Sequence, residues 1–434
     1  MERYIGEFLE GTVDALAFGG EGIVRQEGFV VFIPFVAIGD HLRYRLTEVK
    51  KSFARGVCLE VLQPGPHRTI PRCPYFGICG GCQLQHLDYT AQMSYKHAAV
   101  VDALKRIGHL TIPQFDLVPA HLQWAYRRHI TLHLIPKAHG FAASYIGIDH
   151  HSPVTIATCP IFNEADDKVI EQLQTALQHL PHSGQQNGRL TVMKNQRGQY
   201  VLYLQFESKL KITPQALQTF WQAQSSCAGL LVDTKSKSLV FGDPYCELEI
   251  DKLRLRFTPQ TFVQNHPEQS ATLYREILTL VNQKPNRRIL DLYCGFGVTS
   301  LLLAHSGHNV TAIEVNAESI ALARGNANDN NTPHIQFVAD DVARVLPDYA
   351  KEGKTINMVL LNPPRTGLSK EIVQALLKIK PAEILYVSCL PATLARDLAQ
   401  LDYKIRHIRA FDMFPQTAHV ETLVHLESKN GLFS

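Results

Sequence analysis

From about residue 259 onward the chain alternates strand-like and helix-length segments, which restricts its fold more than any other feature. The strand-like runs are RILDLY, NVTAIEV, HIQFVAD, INMVLLN and EILYVSC. This alternation predicts a doubly wound parallel α/β sheet. The chain closes differently, because KIRHIRAFDMF and HVETLVHLE are two strand-like runs joined by a short connection. They predict a terminal hairpin.

Two other regions precede this one. Residues 1–63 hold short β-rich runs such as Phe29–Ile33, broken by turn signals at Gly19-Gly20, Gly22 and Gly39-Asp40. Many short strands in so little chain predict a small β-barrel of the OB-like kind that presents a basic face to nucleic acid. The segment LAFGGEGIVR (16–25) resembles a TRAM domain. Pro64-Gly65-Pro66 then marks a linker into a central region, residues 64–258. It opens with a cysteine-rich segment, followed by helical apolar spacing at Met93, Val100, Leu104 and Ile107. From about residue 125, alternation such as TVMKNQRGQYVLYLQF predicts a mostly antiparallel α+β domain. Residues 259–434 form the third region.

The 434 residues suit two or three domains, and a 45% apolar content suffices for full-sized cores. The start MERYIGEFLEGTVD lacks the basic and apolar parts of a secretory signal, and no apolar run is long enough to span a bilayer. A soluble, cytoplasmic protein with no membrane partner is expected, and nothing implies an obligate protein partner. A net charge of +3 does not by itself imply nucleic acid. Lys50-Lys51 and Arg127-Arg128-His129 are local basic groups that suit either an RNA footprint or an ordinary solvated surface. Nine cysteines without a secretory signal do not suggest disulfides.

The strand ending in DLYCGFG (291–297) runs into a glycine turn. Gly295 and Gly297 let the backbone bend sharply and bring its amides near a ligand. About twenty residues on, the next strand ends at Glu314, a carboxylate able to accept from both ribose hydroxyls of an adenosine. A nicotinamide-dependent dehydrogenase offers the same pair of features, although its third glycine is absent from Gly295-Phe296-Gly297-Val298-Thr299-Ser300. The turn alone leaves both cofactors open.

Three polar motifs fall at or beside the carboxyl ends of expected strands, where open α/β sheets bind ligands: NPPR (362–365), SCLP (388–391) and HVET (419–422). With FTPQTFVQNHP, ILDLYCGFG, LYVSCLPATLARD and FDMFPQTAHVETLVHLE, they resemble the RNA uracil-5-methyltransferase family. The resemblance implies a class I S-adenosylmethionine (SAM)-dependent methyltransferase domain, whose sheet ends in such a hairpin. It also implies that Cys389 attacks uracil C6, turning C5 into a nucleophile, and that Glu421 later removes the C5 proton. Cys294, inside the glycine turn, is expected to pack rather than react. Gln264, Tyr293, Gly295, Gly297, Glu314, Asp341 and Asn362 would surround SAM, and Arg396 and Asp397 would support the catalytic loop. Two positions depart from the family, which usually has Asp at Asn362 and Asn at Val298. The Asn362 amide still suits the N3–H and O4 edge of uracil.

Cys73, Cys79 and Cys82 stand in RCPYFGICGGCQLQH, with Cys159 of ATCPIF as a fourth ligand. Four thiolates hold either zinc or an iron–sulfur cluster. The resemblance points to [4Fe-4S], with zinc as the alternative, and together with the TRAM-like start it points to 23S rRNA. A tRNA uracil-5-methyltransferase is the nearest other reading. Methylation of an exocyclic nitrogen, which NPP would also suit, gives Cys389 and Glu421 no work, and RNA cytosine-5 enzymes arrange their motifs differently. From another class comes a non-catalytic RNA-binding or assembly factor on the same fold, against which the intact Cys389 and Glu421 motifs argue.

Overall fold

The computed structural model describes residues 3–429 except 27, 165–166, 182–186, 208–211, 235–237, 333–334 and 354. The strands Phe8–Leu16, Gly22–Gln26, Phe29–Ile33, His41–Val49 and Phe53–Gln63 close into a barrel. In His41–Val49, Leu42, Tyr44 and Leu46 are buried while Arg43, Arg45 and Thr47 are exposed, the period of two that a half-buried strand requires. Val13, Val24, Val31 and Ile33 complete the barrel core.

The central region builds a seven-stranded sheet in the order Ser238–Gly242, Cys227–Asp233, Tyr200–Phe206, Gly188–Lys194, His129–Pro136, Phe141–Ile146, Pro153–Thr155. One neighbouring pair, Tyr200–Phe206 with Cys227–Asp233, is parallel; the helix Pro214–Gln222 supplies the crossover that a parallel pair needs. Ahead of this sheet, Asp88 caps the helix Tyr89–Asp102 by accepting from the Ala91 amide. The helix continues as a wider π turn over Ala103–Ile107.

The C-terminal sheet has eight strands, in the order Ile335–Ala339, Asn309–Glu314, Arg288–Leu292, Met358–Leu361, Glu383–Ser388, Glu421–Ser428, Tyr403–Phe411, Leu117–Val118. The first five are parallel, and Met358–Leu361 and Glu383–Ser388 are buried throughout, as strands covered on both faces must be. The terminal hairpin is present, with Glu421–Ser428 inserted between Glu383–Ser388 and Tyr403–Phe411. The outermost strand, Leu117–Val118, comes from the central region. No helix among the described residues is long and apolar enough to cross a membrane.

A buried ion pair joins the same two regions. Lys96 Nζ donates to Asp412 Oδ1 at 2.5 Å and to the Phe414 carbonyl at 2.9 Å, and both charged side chains are fully buried. The Tyr89 hydroxyl donates to the other Asp412 oxygen at 2.8 Å. Removing one partner leaves a buried charge without compensation. Lys96→Met should therefore destabilise the protein by about 3–5 kcal/mol in urea unfolding, whereas adding Asp412→Leu should recover most of the loss. A double variant as unstable as the single one would contradict this.

Candidate active site

Strand order reverses between Arg288–Leu292 and Met358–Leu361, which opens a crevice beyond their carboxyl ends. The glycine turn lies in it, with Tyr293 at φ 64°, Gly295 at 55° and Gly297 at 88°. A Cβ on Gly297 would stand 2.7 Å from Leu301 Cδ1 and 3.1 Å from Ala323 Cβ, so close packing excludes a side chain. A Cβ on Gly295 would meet nothing within 4 Å, so its positive φ and not packing is what favours glycine there. Beneath the turn, Asp291 accepts from the Thr299 hydroxyl at 2.6 Å and the Ser300 hydroxyl at 2.5 Å. Burial pushes its carboxyl up to about 6.

Glu314 reaches back to the turn, accepting from the Gly295 amide at 3.2 Å and the Asn316 amide at 2.9 Å. Asp341 caps the helix Val342–Glu352 through the Ala343 amide at 2.8 Å. Burial, then the charges of Asp341, Asp397 and Glu314, push the Tyr293 phenol up to about 12. Gln264 is buried just ahead of the helix Pro267–Val281, and its neighbour Phe262 is 68% exposed. Asn362 follows Met358–Leu361, half-buried, and its backbone N–H donates to the Leu292 carbonyl at 3.4 Å. Val298 is buried in the core, at the first position of its helix.

The ladder places the other motifs. Ser388 pairs with Thr422 at the end of two antiparallel strands, so one step further Cys389 stands opposite Glu421. Glu421 is 2% exposed, and burial pushes its carboxyl up to about 8, with Arg365 only partly offsetting the effect. Burial and the Glu421 charge raise the Cys389 thiol, while the positive charge of nearby Arg365 favours the thiolate. Sequence reading placed NPPR at the site but gave Arg365 no role of its own. Its place four residues after the end of Met358–Leu361 was the available signal. Arg396 and Asp397 hold its loop: Asp397 Oδ2 accepts from the Leu368 amide at 2.8 Å and the Tyr386 hydroxyl at 2.6 Å. Arg396 donates to the Thr366 carbonyl at 2.8 Å, and Thr393 to that of Arg365 at 3.1 Å. Cys294 is buried, and desolvation followed by the charges of Asp291 and Glu314 holds its thiol well above the ordinary range. Such a group is a poor nucleophile.

Cys73, Cys79, Cys82 and Cys159 line one cavity together with Tyr75, Arg127 and Tyr145. Burial pushes the free thiols of Cys82 and Cys159 up to about 12 and about 11. As the side chains stand, no three His, Cys, Asp or Glu among the described residues are placed to hold a metal ion. The Nε of Arg127 is buried in this region without a hydrogen-bond partner. Arg127-Arg128-His129 therefore do not form the exposed basic group that their run of charges suggested. All three are half-buried, Arg128 lies 5.5 Å over the Phe257 ring, and burial with the two arginines pushes His129 down to about 4. Lys50-Lys51 on the barrel are exposed.

The family model described as tRNA (Uracil-5-)-methyltransferase matches residues 88–429, and the TRAM domain model matches residues 2–59. An uncharacterized RNA methyltransferase of Protochlamydia amoebophila is 49% identical over 422 residues, 96% of this chain and 97% of the relative. Another, of Thermosynechococcus vestitus, is 34% identical and covers 97% of this chain and 98% of its own. Among solved structures, Pyrococcus abyssi tRNA (uracil-54, C5)-methyltransferase in complex with S-adenosyl-L-homocysteine aligns with a TM-score of 0.74 at 26% identity. The alignment covers 96% of this chain and 100% of that one.

Arg365 is the cation beside Cys389, so Arg365→Ala should slow alkylation of that thiol by iodoacetamide at pH 8–9. A partly solvated pair of this kind contributes about 0.5–1 kcal/mol, or roughly twofold to fivefold in rate. Peptide mapping by mass spectrometry reads the site, and an unchanged rate would remove Arg365 from it.

Proposed function

The chain belongs to the tRNA (uracil-5-)-methyltransferase family of SAM-dependent RNA methyltransferases and carries a TRAM domain, and on that premise we propose that it methylates C5 of a uridine in 23S rRNA through a covalent adduct of Cys389. The observation that carries this reading is Cys389 opposite the buried Glu421, with Arg365 beside both. SAM supplies the methyl group when bound. The Cys389 thiolate adds to C6 and moves the C5=C6 electron pair toward C5 and O4, making C5 nucleophilic. Once C5 carries the methyl group, the Glu421 carboxylate takes the C5 proton, the double bond reforms and the thiolate leaves. A carboxyl pushed up to about 8 is a stronger base than an exposed one and suits that task near neutral pH.

Gln264, Tyr293, Gly295, Gly297, Glu314, Asp341 and Asn362 are assigned to SAM, with Glu314 on the ribose. Asn362 also has an amide suited to the uracil edge. Cys73, Cys79, Cys82 and Cys159 are assigned to a [4Fe-4S] cluster, with zinc as the alternative. Either tetrathiolate centre is anionic, and the same cavity offers a buried guanidinium with an unpaired Nε, which fits. The cluster's role is to shape and position the region around it. The reaction needs no electron transfer.

The cysteine set and the TRAM domain together support 23S rRNA as the target. A tRNA target is the second reading, favoured by the solved relative of matching length, which acts on tRNA. The exposed Lys50-Lys51 pair suits either RNA, and the cytoplasm is the compartment proposed. Mapping 5-methyluridine in rRNA and tRNA from cells with and without the gene separates the two. Loss from 23S rRNA is expected, loss from tRNA alone would move the assignment, and no loss would contradict it.

Glu421→Gln should still allow thiol addition and methylation but retain the C5 proton, so a protein–RNA adduct should persist on a denaturing gel. In the unmodified protein the elimination step should speed up as pH rises through about 8, where Glu421 ionises. Turnover of the Gln variant at the unmodified rate would exclude Glu421 as the base. Protein purified without oxygen should be brown, with about four irons per chain, and Cys159→Ser should lose iron and solubility. Stoichiometric zinc without iron would decide for the alternative.

A further inference from the structure

The residues between the two strands of the terminal hairpin, 412–420, lead directly into Glu421. Little of their shape is local. Gln416 sits at φ 70°, a left-handed conformation that residues other than glycine rarely adopt. Such a residue persists only where its surroundings over-determine it.

Here the surroundings belong to the central region. Gln92, 1% exposed on the helix Tyr89–Asp102, donates from Nε2 to Gln416 Oε1 at 3.0 Å, and its Oε1 accepts from the Gln416 amide at 3.0 Å. The Gln416 carbonyl accepts from the amides of Gln83 at 3.2 Å and Leu84 at 3.0 Å. Gln83 Oε1 accepts from the Ala418 amide at 3.3 Å, and the Tyr126 hydroxyl donates to the Pro415 carbonyl at 3.0 Å. Gln83 directly follows Cys82, which lines the cysteine cavity.

We propose that Gln92 and Gln416 are positioning residues for the C5-proton removal step. Their reciprocal amide pair holds loop 412–420 in its left-handed turn so that the Glu421 carboxyl faces Cys389, and Gln83 ties the same turn to the cysteine cavity. The proposal rests on the reading of Glu421 as the base. It also gives the cysteine module a part in the reaction without a redox step: the module's peptide chain is hydrogen-bonded to the loop that carries the base.

The test uses full-length protein, SAM and a uridine-containing RNA, with Gln92→Leu and Glu421→Gln assayed side by side. A base displaced by about an ångström loses up to roughly a hundredfold in rate. Gln92→Leu should therefore lower kcat about tenfold to a hundredfold, leave KM for SAM unchanged and accumulate the adduct that Glu421→Gln accumulates. A fall in activity that follows the folded fraction, with no adduct, would overturn the proposal, as would unchanged kcat. If Gln92→Leu does not fold, Gln416→Ala and Gln416→Gly replace it. Both lose the side-chain acceptor, but only alanine is strained at positive φ, so glycine should turn over faster and leave less adduct. Equal behaviour would overturn the proposal. If Glu421→Gln itself leaves no adduct, the base assignment falls and the proposal with it; an adduct there but none in Gln92→Leu removes the proposal alone.

Discussion

The loop that leads into Glu421 is held from outside its own domain. Residues 412–418 carry a buried carboxylate, a left-handed glutamine and several backbone groups whose partners lie in residues 83–126. The Lys96–Asp412 pair is fully buried, so breaking it by removing one partner leaves the other charge without compensation. Separating the central region from the methyltransferase sheet would strand both charges and remove an edge strand as well. The two regions are one physical unit around the active site, although their sequences look like different fold classes.

That unit explains how a carboxylate and a thiol come to lie at close quarters. Antiparallel pairing of Glu383–Ser388 with Glu421–Ser428 ends at Ser388 and Thr422, which brings Cys389 near enough to Glu421 for its charge to act on the thiol. Burial then raises both groups, while Arg365 at the rim favours their charged forms. The balance between desolvation and one guanidinium holds the Glu421 carboxyl at about 8, well above the usual carboxylate range. The thiol of Cys294, by contrast, is raised by burial and by the charges of two carboxylates, Asp291 and Glu314.

Much of this was legible in the residues. Strand–helix alternation gave the doubly wound sheet because period and length are local properties, and the short strands before Gln63 gave the barrel for the same reason. The motifs around Cys389 and Glu421 were visible as polar interruptions at strand ends. Leu117–Val118 was not legible as an edge strand, since two residues carry no periodicity. The parallel pair in the central sheet was hidden because alternation reports burial and not direction. Arg127, Arg128 and His129 misled for a related reason: a charge run says nothing about which packed element will cover it. The hold of Gln92 on Gln416 joins residues more than three hundred positions apart, and no local pattern announces such a pairing.

The covalent step is tested most directly by RNA carrying 5-fluorouridine at the target, whose C5 substituent cannot leave as a proton. With SAM present the reaction should stop at the methylated adduct, and mass spectrometry of the digested complex should find the modified nucleotide on the peptide containing Cys389. Attachment to Cys294 or another residue, or full turnover with no attachment, would contradict the mechanism.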